Sequence, residues 1–259
     1  MAKIVSLANQ KGGVGKTTTA INLGASVAVC DRRVLLVDLD PQANATSGVG
    51  LPKNSRDSMY PVLVAGQAIR SIIQETELPM LHIAPSSVDL VAAEIELSEG
   101  DRREFRLADV LAPIREEYDY IFIDSPPSLG LLTVNGLVAA DSVVVPVQCE
   151  YFALEGISQL VNTIERVQTS LNPSLEIEGI ALTMYDERIN LARQVSEEIR
   201  SYFGEKVYQT VVPRNVRLGE APSFGKPIIL YDIRSRGSES YLQLAQEFIK
   251  RAETVIDVG

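Results

Sequence analysis

Residues Lys11 to Thr18 read Lys-Gly-Gly-Val-Gly-Lys-Thr-Thr, a glycine-rich turn that ends in a lysine and two hydroxyls. Glycines at 12, 13 and 15 let backbone N–H groups converge on phosphate oxygens, and a helix opening after the turn adds its partial positive charge. Lys16 is spaced to reach β- and γ-phosphates, and the Thr17 hydroxyl to ligate Mg²⁺. Val14 and Thr18 complete the loop. Three carboxylates follow apolar runs: Asp38 and Asp40 in Val-Asp-Leu-Asp-Pro-Gln, and Asp124 after Tyr-Ile-Phe-Ile. A carboxylate at the end of a buried strand can polarise an attacking water or reach a metal's water shell, and Asp124 suits water-mediated Mg²⁺ binding. Strand-end turns before Pro41 and Pro126 would account for the same residues without chemistry.

Strand–helix alternation must position these groups. Lys3–Asn9, Arg33–Asp38, Tyr118–Asp124, Asp141–Gln148, Ile177–Tyr185 and Val207–Pro213 read as strands, nearly unbroken in apolarity, as where both sheet faces are covered. Met80–Ala84, which carries the single histidine, His82, is a further apparent strand. Helical spacing covers Thr17–Val29, Ala92–Leu97, Phe105–Glu117, Gly130–Ala140, Glu155–Leu171, Leu191–Phe203 and about Ser238–Ile256. This pattern predicts an α/β fold with a doubly wound, mostly parallel sheet flanked by helices. The four prolines between Leu51 and Pro85 obscure the alternation there. No linker or repeat interrupts the chain, so residues 1–259 are expected to form a single domain.

The 259 residues are ample for a core without staples, and two cysteines, Cys30 and Cys149, cannot form a disulfide framework. Both read as buried thiols, and no Cys/His spacing suggests zinc. The longest uncharged stretch, Ser125–Ala140, is too short and too polar to span a bilayer, and the N-terminus has no signal-peptide pattern. A cytoplasmic protein is expected. Net charge is −10, yet residues 1–187 carry 13 Lys+Arg against 25 Asp+Glu whereas residues 188–251 carry 11 against 7. Such asymmetry fits either a polyanion-binding face or ordinary solvated helix faces.

The ordinary phosphate loop has a glycine five positions before Gly15; this chain has Gln10 there and a second lysine, Lys11. The loop thereby resembles the deviant Walker A motif of the ParA/MinD class of ATPases. The runs Val37–Gln42, Asp124–Ser128, Cys149–Gly156 and Pro213–Leu218 narrow the likeness to the ParA/Soj partition subgroup, from Lys3 to about Leu244. MinD-type sequences lack the Asp-Pro-Gln-x-Asn run, and they end in a basic amphipathic helix. The C-terminal stripe here, Tyr241 to Ile249, lies beside Glu247, Glu253 and Asp257 and reads as a docked core helix.

The resemblance implies a P-loop ATPase using ATP and Mg²⁺, with slow intrinsic turnover. It assigns the attacking water to Asp40 and support of magnesium and loop geometry to Asp38. Lys11 is implied to reach the partner's nucleotide in an ATP-dependent homodimer. Pro213 and Asn215 are carried over as adenine contacts, although a strand-end turn explains them nearly as well. Arg188 and Arg217 match arginines of nonspecific double-stranded DNA contact, surface ion pairs being the alternative. A ParB-like stimulating protein and a nucleoid-associated location are further implications. The competing classes are a MinD-like membrane-associated ATPase and an ATP-switched regulator of replication or transcription. Two departures stand out: Ala43 where relatives have glycine after Asp-Pro-Gln, and Phe224 where histidine is common. The first raises the question whether the loop after Asp40 requires a positive φ.

Overall fold

The computed structural model describes residues 1–53 and 55–256; Asp257 lies outside the described residues. In chain order, β1 (Lys3–Leu7), α1 (Lys16–Ala28), β2 (Val34–Asp38), α2 (Asn44–Gly48), α3 (Met59–Ala65), β3 (Gln74–Glu75) and β4 (Leu81–Ala84) form the first half. Then come α4 (Leu90–Glu96), α5 (Arg106–Leu111), β5 (Tyr120–Asp124), α6 (Leu131–Ala139), β6 (Ser142–Gln148), α7 (Ala153–Ser170) and β7 (Glu176–Thr183). Helices α8 (Asn190–Phe203), α9 (Val216–Glu220), α10 (Ile228–Tyr231) and α11 (Arg236–Ile256) follow. The seven strands lie in the order β3-β4-β2-β5-β1-β6-β7, all parallel except the two-residue edge strand β3.

Period-two alternation sorts the strand side chains into two apolar layers. Val5, Leu7, Leu36, Phe122 and Val144 face α1 and α11, while Ile4, Leu35, Val37, Ile121, Ile123 and Val145 face the opposite helical layer. Burying both faces explains why these strands read as unbroken apolar runs. Because the strands are parallel, their C-terminal ends share one edge. The chain winds from β1 towards β4 on one side and from β6 to β7 on the other, which leaves a crevice beside β1. Helix α11 seals the α1 face with Tyr241, Leu244, Phe248 and Ala252, as expected of a docked core helix.

The structure corrects several boundaries. Val207–Pro213 is not a strand: its pairing with β7 and with Tyr185, two residues past it, is confined to two isolated bridges, Ile180–Val207 and Tyr185–Pro213. The predicted helix Phe105–Glu117 is α5 followed by a 3₁₀ turn, Ala112–Ile114, because Pro113 cannot donate to a continued ladder. The obscured segment holds α3 and β3 ahead of β4, which forms where the strand Met80–Ala84 was expected; Pro61 lies in the first turn of α3, where its missing N–H costs no helical bond. Cys149 is buried, whereas Cys30 is only half-buried at the exit of α1.

The 207–213 segment is seated by Tyr208, whose fully buried ring covers Gly179 of β7. A Cβ built on Gly179 would stand 2.5 Å from Tyr208 Cε2. Gly179→Ala is therefore expected to destabilise the fold by about 1–3 kcal/mol, read as a lowered urea midpoint at unchanged m-value. A midpoint equal to the parent's would contradict this packing.

Candidate active site

The loop between β1 and α1 wraps the end of β1. Gly13 and Gly15 hold φ of 76° and 85°, a region that L-residues enter at a cost, whereas a Cβ at either position would meet no atom closer than 3.7 Å. Backbone conformation, not space, requires glycine there. Val14 turns inward, and its carbonyl accepts from Thr183 Oγ1 at 2.7 Å, tying the loop to the end of β7. Lys16 is buried at the start of α1 with Nζ 3.3 Å from the Lys11 carbonyl. Burial pulls its pKa down, against the opposing pull of Asp124 and Asp40.

Asp38 and Asp124 are register partners on adjacent strands β2 and β5, both completely buried. Their environments differ. Asp38 accepts bonds from Thr46 N (2.8 Å), Thr46 Oγ1 (2.7 Å) and Asp40 N (3.1 Å), yet burial still pushes its carboxyl up to about 6. Neither oxygen of Asp124 has a hydrogen-bond partner. Burial first, then the Asp38 charge, push its carboxyl well above the usual range, outweighing the nearby Thr17 hydroxyl and Lys16. An orphaned buried carboxylate beside a threonine hydroxyl fits a hydrated divalent cation, which would supply the missing partner.

Asp40 lies nearer the surface and accepts from Gln42 N at 2.9 Å, while Ser86 Oγ donates to its carbonyl at 2.7 Å. Ala43, which closes this turn, has φ 51° and ψ 42°, so the loop does demand the left-handed region and alanine bears a strain of about 1 kcal/mol there. A cavity of about 630 Å³ opens over the loop, lined by Gly12, Gly13, Gly15, Lys16, Thr17, Thr18 and Asp40. Its far wall contains Pro213 and Asn215, the latter with its Oδ1 accepting from Arg217 N at 2.8 Å as the cap of α9. This leaves the Asn215 amide as the free donor.

Other expected residues lie outside the cavity. The Lys11 ammonium donates to Glu150 Oε2 of its own chain at 2.6 Å. Arg188 is paired with Asp186 (2.7 Å), whose carboxyl it draws down to about 2, and its side chain is 85% exposed. Arg217 is paired with Glu220 at 2.8 Å. Sequence reasoning gave no role to Thr46, Ser86, Glu150 or Thr183. The Cys149–Gly156 run contained Glu150, but nothing in its local pattern pointed across to Lys11.

A family model described as an AAA domain matches residues 2–177. The chain is 58% identical over 252 residues to "Chromosome partitioning protein ParA" of Myxococcus xanthus, covering 97% of this chain and 89% of that one. The chain belongs to the ParA/Soj family. It is also 58% identical over 248 residues to "Sporulation initiation inhibitor protein Soj" of Bacillus subtilis, covering 95% and 98% of the two chains. Among solved structures, cobyrinic acid a,c-diamide synthase of Mycobacterium smegmatis with bound ADP and magnesium superposes with a TM-score of 0.86 at 35% identity, covering 98% and 96%. This ParA/Soj-family chain is thus a P-loop ATPase related to chromosome-partitioning proteins. Among the described residues no helix is long and apolar enough to cross a membrane, and no cluster of His, Cys, Asp and Glu forms a metal site of their own.

The raised Asp38 carboxyl carries a sign for stability. Its ordinary value is 3.8 and its folded value about 6, so the folded chain holds the extra proton between these limits. Stability of the nucleotide-free protein should fall as pH rises from about 4 to 6. Carboxyls lowered by arginine, such as Asp119 and Asp186, oppose this only below about pH 4. Circular-dichroism melts should show a higher melting temperature at pH 5 than at pH 7; the reverse order would contradict the assigned burial cost.

Proposed function

We propose that residues 1–259 act as one ATPase domain and as an ATP-dependent, DNA-partitioning switch. The reading rests above all on Lys16 lining the loop cavity within the electrostatic reach of the buried Asp124 carboxylate, whose oxygens lack hydrogen-bond partners. Backbone N–H groups of Gly12 to Thr18 would cradle the ATP phosphates, with Lys16 as the fixed cation. Mg²⁺ would be held by Thr17 and, through water, by Asp124; Asp38 supports that position through its bonds to the Asp40 loop and Thr46. The metal would neutralise charge gathering on the phosphates. Asp40, at the cavity wall, orients the attacking water, and Pro213 with the Asn215 amide contacts adenine.

Lys11 would exchange Glu150 for the phosphates of a second copy, closing a two-fold dimer. Arg188 and Arg217, doubled by that symmetry, would contact DNA phosphates without reading bases. Each must also leave or share its carboxylate partner, which keeps the contact weak in the monomer. A ParB-like protein would accelerate hydrolysis and so release the nucleoid-bound dimer.

Asp40→Ala should retain ATP binding and an ATP-dependent dimer by sizing chromatography, while turnover falls about a hundredfold or more. Parent-rate turnover would remove Asp40 from the water-orienting role. Arg188→Ala should reduce the slope of log affinity for DNA against log salt by about two in a symmetric dimer. An unchanged slope would make Arg188 a solvated surface charge only.

A further inference from the structure

The turn that carries Asp40 is held from two sides. On the inner side the core anchors its first residue: Asp40 N donates to Asp38 Oδ1 (3.1 Å), and Ser86 Oγ donates to the Asp40 carbonyl (2.7 Å). The turn itself closes through Ala43 N on the Asp40 carbonyl (2.8 Å) and Gln42 N on Asp40 Oδ1 (2.9 Å). On the outer side Lys53 reaches in. Its Nζ donates to the Gln42 carbonyl at 2.9 Å and to Asn44 Oδ1 at 2.7 Å. Gln42 and Asn44 line the cavity over the phosphate loop, as Asp40 does, whereas Lys53 itself does not.

Helix α2 delivers this lysine. It is pinned to the core by Thr46 on Asp38, and the chain leaves it through Gly50 N on the Ser47 carbonyl and Leu51 N on the Thr46 carbonyl. Lys53 thus reaches back over α2 to the segment that precedes it. No other Lys or Arg lies between Arg33 and Arg56 to take its place. The bond to the Gln42 carbonyl bears on the strained residue. Ala43 holds φ 51° and ψ 42°, and reversal of the peptide joining Gln42 to Ala43 would carry it out of the left-handed region. That reversal would swing the Gln42 carbonyl away from the ammonium and break a charge-assisted hydrogen bond. It would also withdraw the Ala43 N–H, which belongs to the same peptide, from the Asp40 carbonyl.

We propose that Lys53 is a positioning residue for ATP hydrolysis: its clamp on Gln42 and Asn44 holds the strained turn that aims the Asp40 carboxylate at the attacking water. The proposal rests on the Asp40 reading for the group that is aimed. Lys53 acts through the turn, so its loss costs alignment of the reacting groups and leaves the phosphate cradle in place. Its side chain is exposed, and removing it leaves the core intact.

Steady-state ATPase assays of the full chain test it in five forms: parent, Lys53→Ala, Lys53→Arg, Ala43→Gly and the double variant K53A/A43G. Lys53→Ala should lower kcat about tenfold, with KM for ATP within about twofold of the parent's. Lys53→Arg, whose N–H groups can serve both oxygens, should return kcat to within about threefold of the parent's. Glycine bears no strain at position 43, so the turn then depends less on its clamp. Ala43→Gly should therefore raise kcat at least about threefold more in the Lys53→Ala chain than in the parent. Parent-rate turnover of Lys53→Ala, or an Ala43→Gly effect equal in both backgrounds, would overturn the proposal. A raised KM at unchanged kcat would overturn it by making Lys53 a nucleotide contact. Loss of ATP-dependent self-association in Lys53→Ala would overturn it by making Lys53 a contact between copies. If Asp40→Ala keeps the parent's turnover while Lys53→Ala loses it and Ala43→Gly restores it, the Asp40 reading fails and the clamp on the turn stands. If Asp40→Ala loses turnover and Lys53→Ala does not, the clamp fails and the Asp40 reading stands.

Discussion

Two carboxylates buried at the same level of adjacent strands set the terms for the rest of the molecule. Like charges in register, shielded from water, raise each other's cost of ionisation, and a fold can keep them only if something supplies partners. Here the supply is lopsided. Asp38 is satisfied by Thr46 and the Asp40 amide, so the loop after β2 is fixed by a carboxylate that never reaches the cavity. Asp124 lacks such bonds from the backbone, and only the nearby Thr17 hydroxyl and the Lys16 charge offset its burial. The protein thus holds one satisfied aspartate that shapes the site and one unsatisfied aspartate that makes the site want a cation.

That asymmetry also explains why the surrounding loops have little freedom. The left-handed Ala43, the Ser86 bond to the Asp40 carbonyl and the Glu94 contact with Gly130 all restrain backbone that starts at one of the two aspartates. The parallel sheet contributes by bringing all the relevant strand ends to one edge, where α1 presents its N-terminus.

Much of this was legible in the sequence because it depends on local pattern. The glycines at 13 and 15, the apolar runs ending at Asp38 and Asp124, and the stripe of α11 each leave a periodic or positional signal. Val207–Pro213 carried the same β-branched signal as a strand, but Tyr208 packing on Gly179 decides its position and the ladder forms only at single bridges. The region from Leu51 to Pro85 concealed α3, because Pro61 sits in its first turn where a helix tolerates proline, whereas β4 was legible as the apolar run Met80–Ala84. Contacts such as Lys11–Glu150 and Thr46–Asp38 were not legible: the first joins residues 139 apart in sequence, and only topology makes them neighbours.

The most direct test of the central claim is the unfolding free energy of Asp124→Asn beside the parent, in urea at pH 7, without nucleotide and then with ATP and Mg²⁺. The amide has nearly the same shape but carries no buried charge. It should make the nucleotide-free protein more stable by about 1 kcal/mol or more, while most of the added stabilisation by Mg²⁺ over ATP alone disappears. A variant less stable than the parent without nucleotide, or one that keeps the full Mg²⁺ increment, would contradict the account.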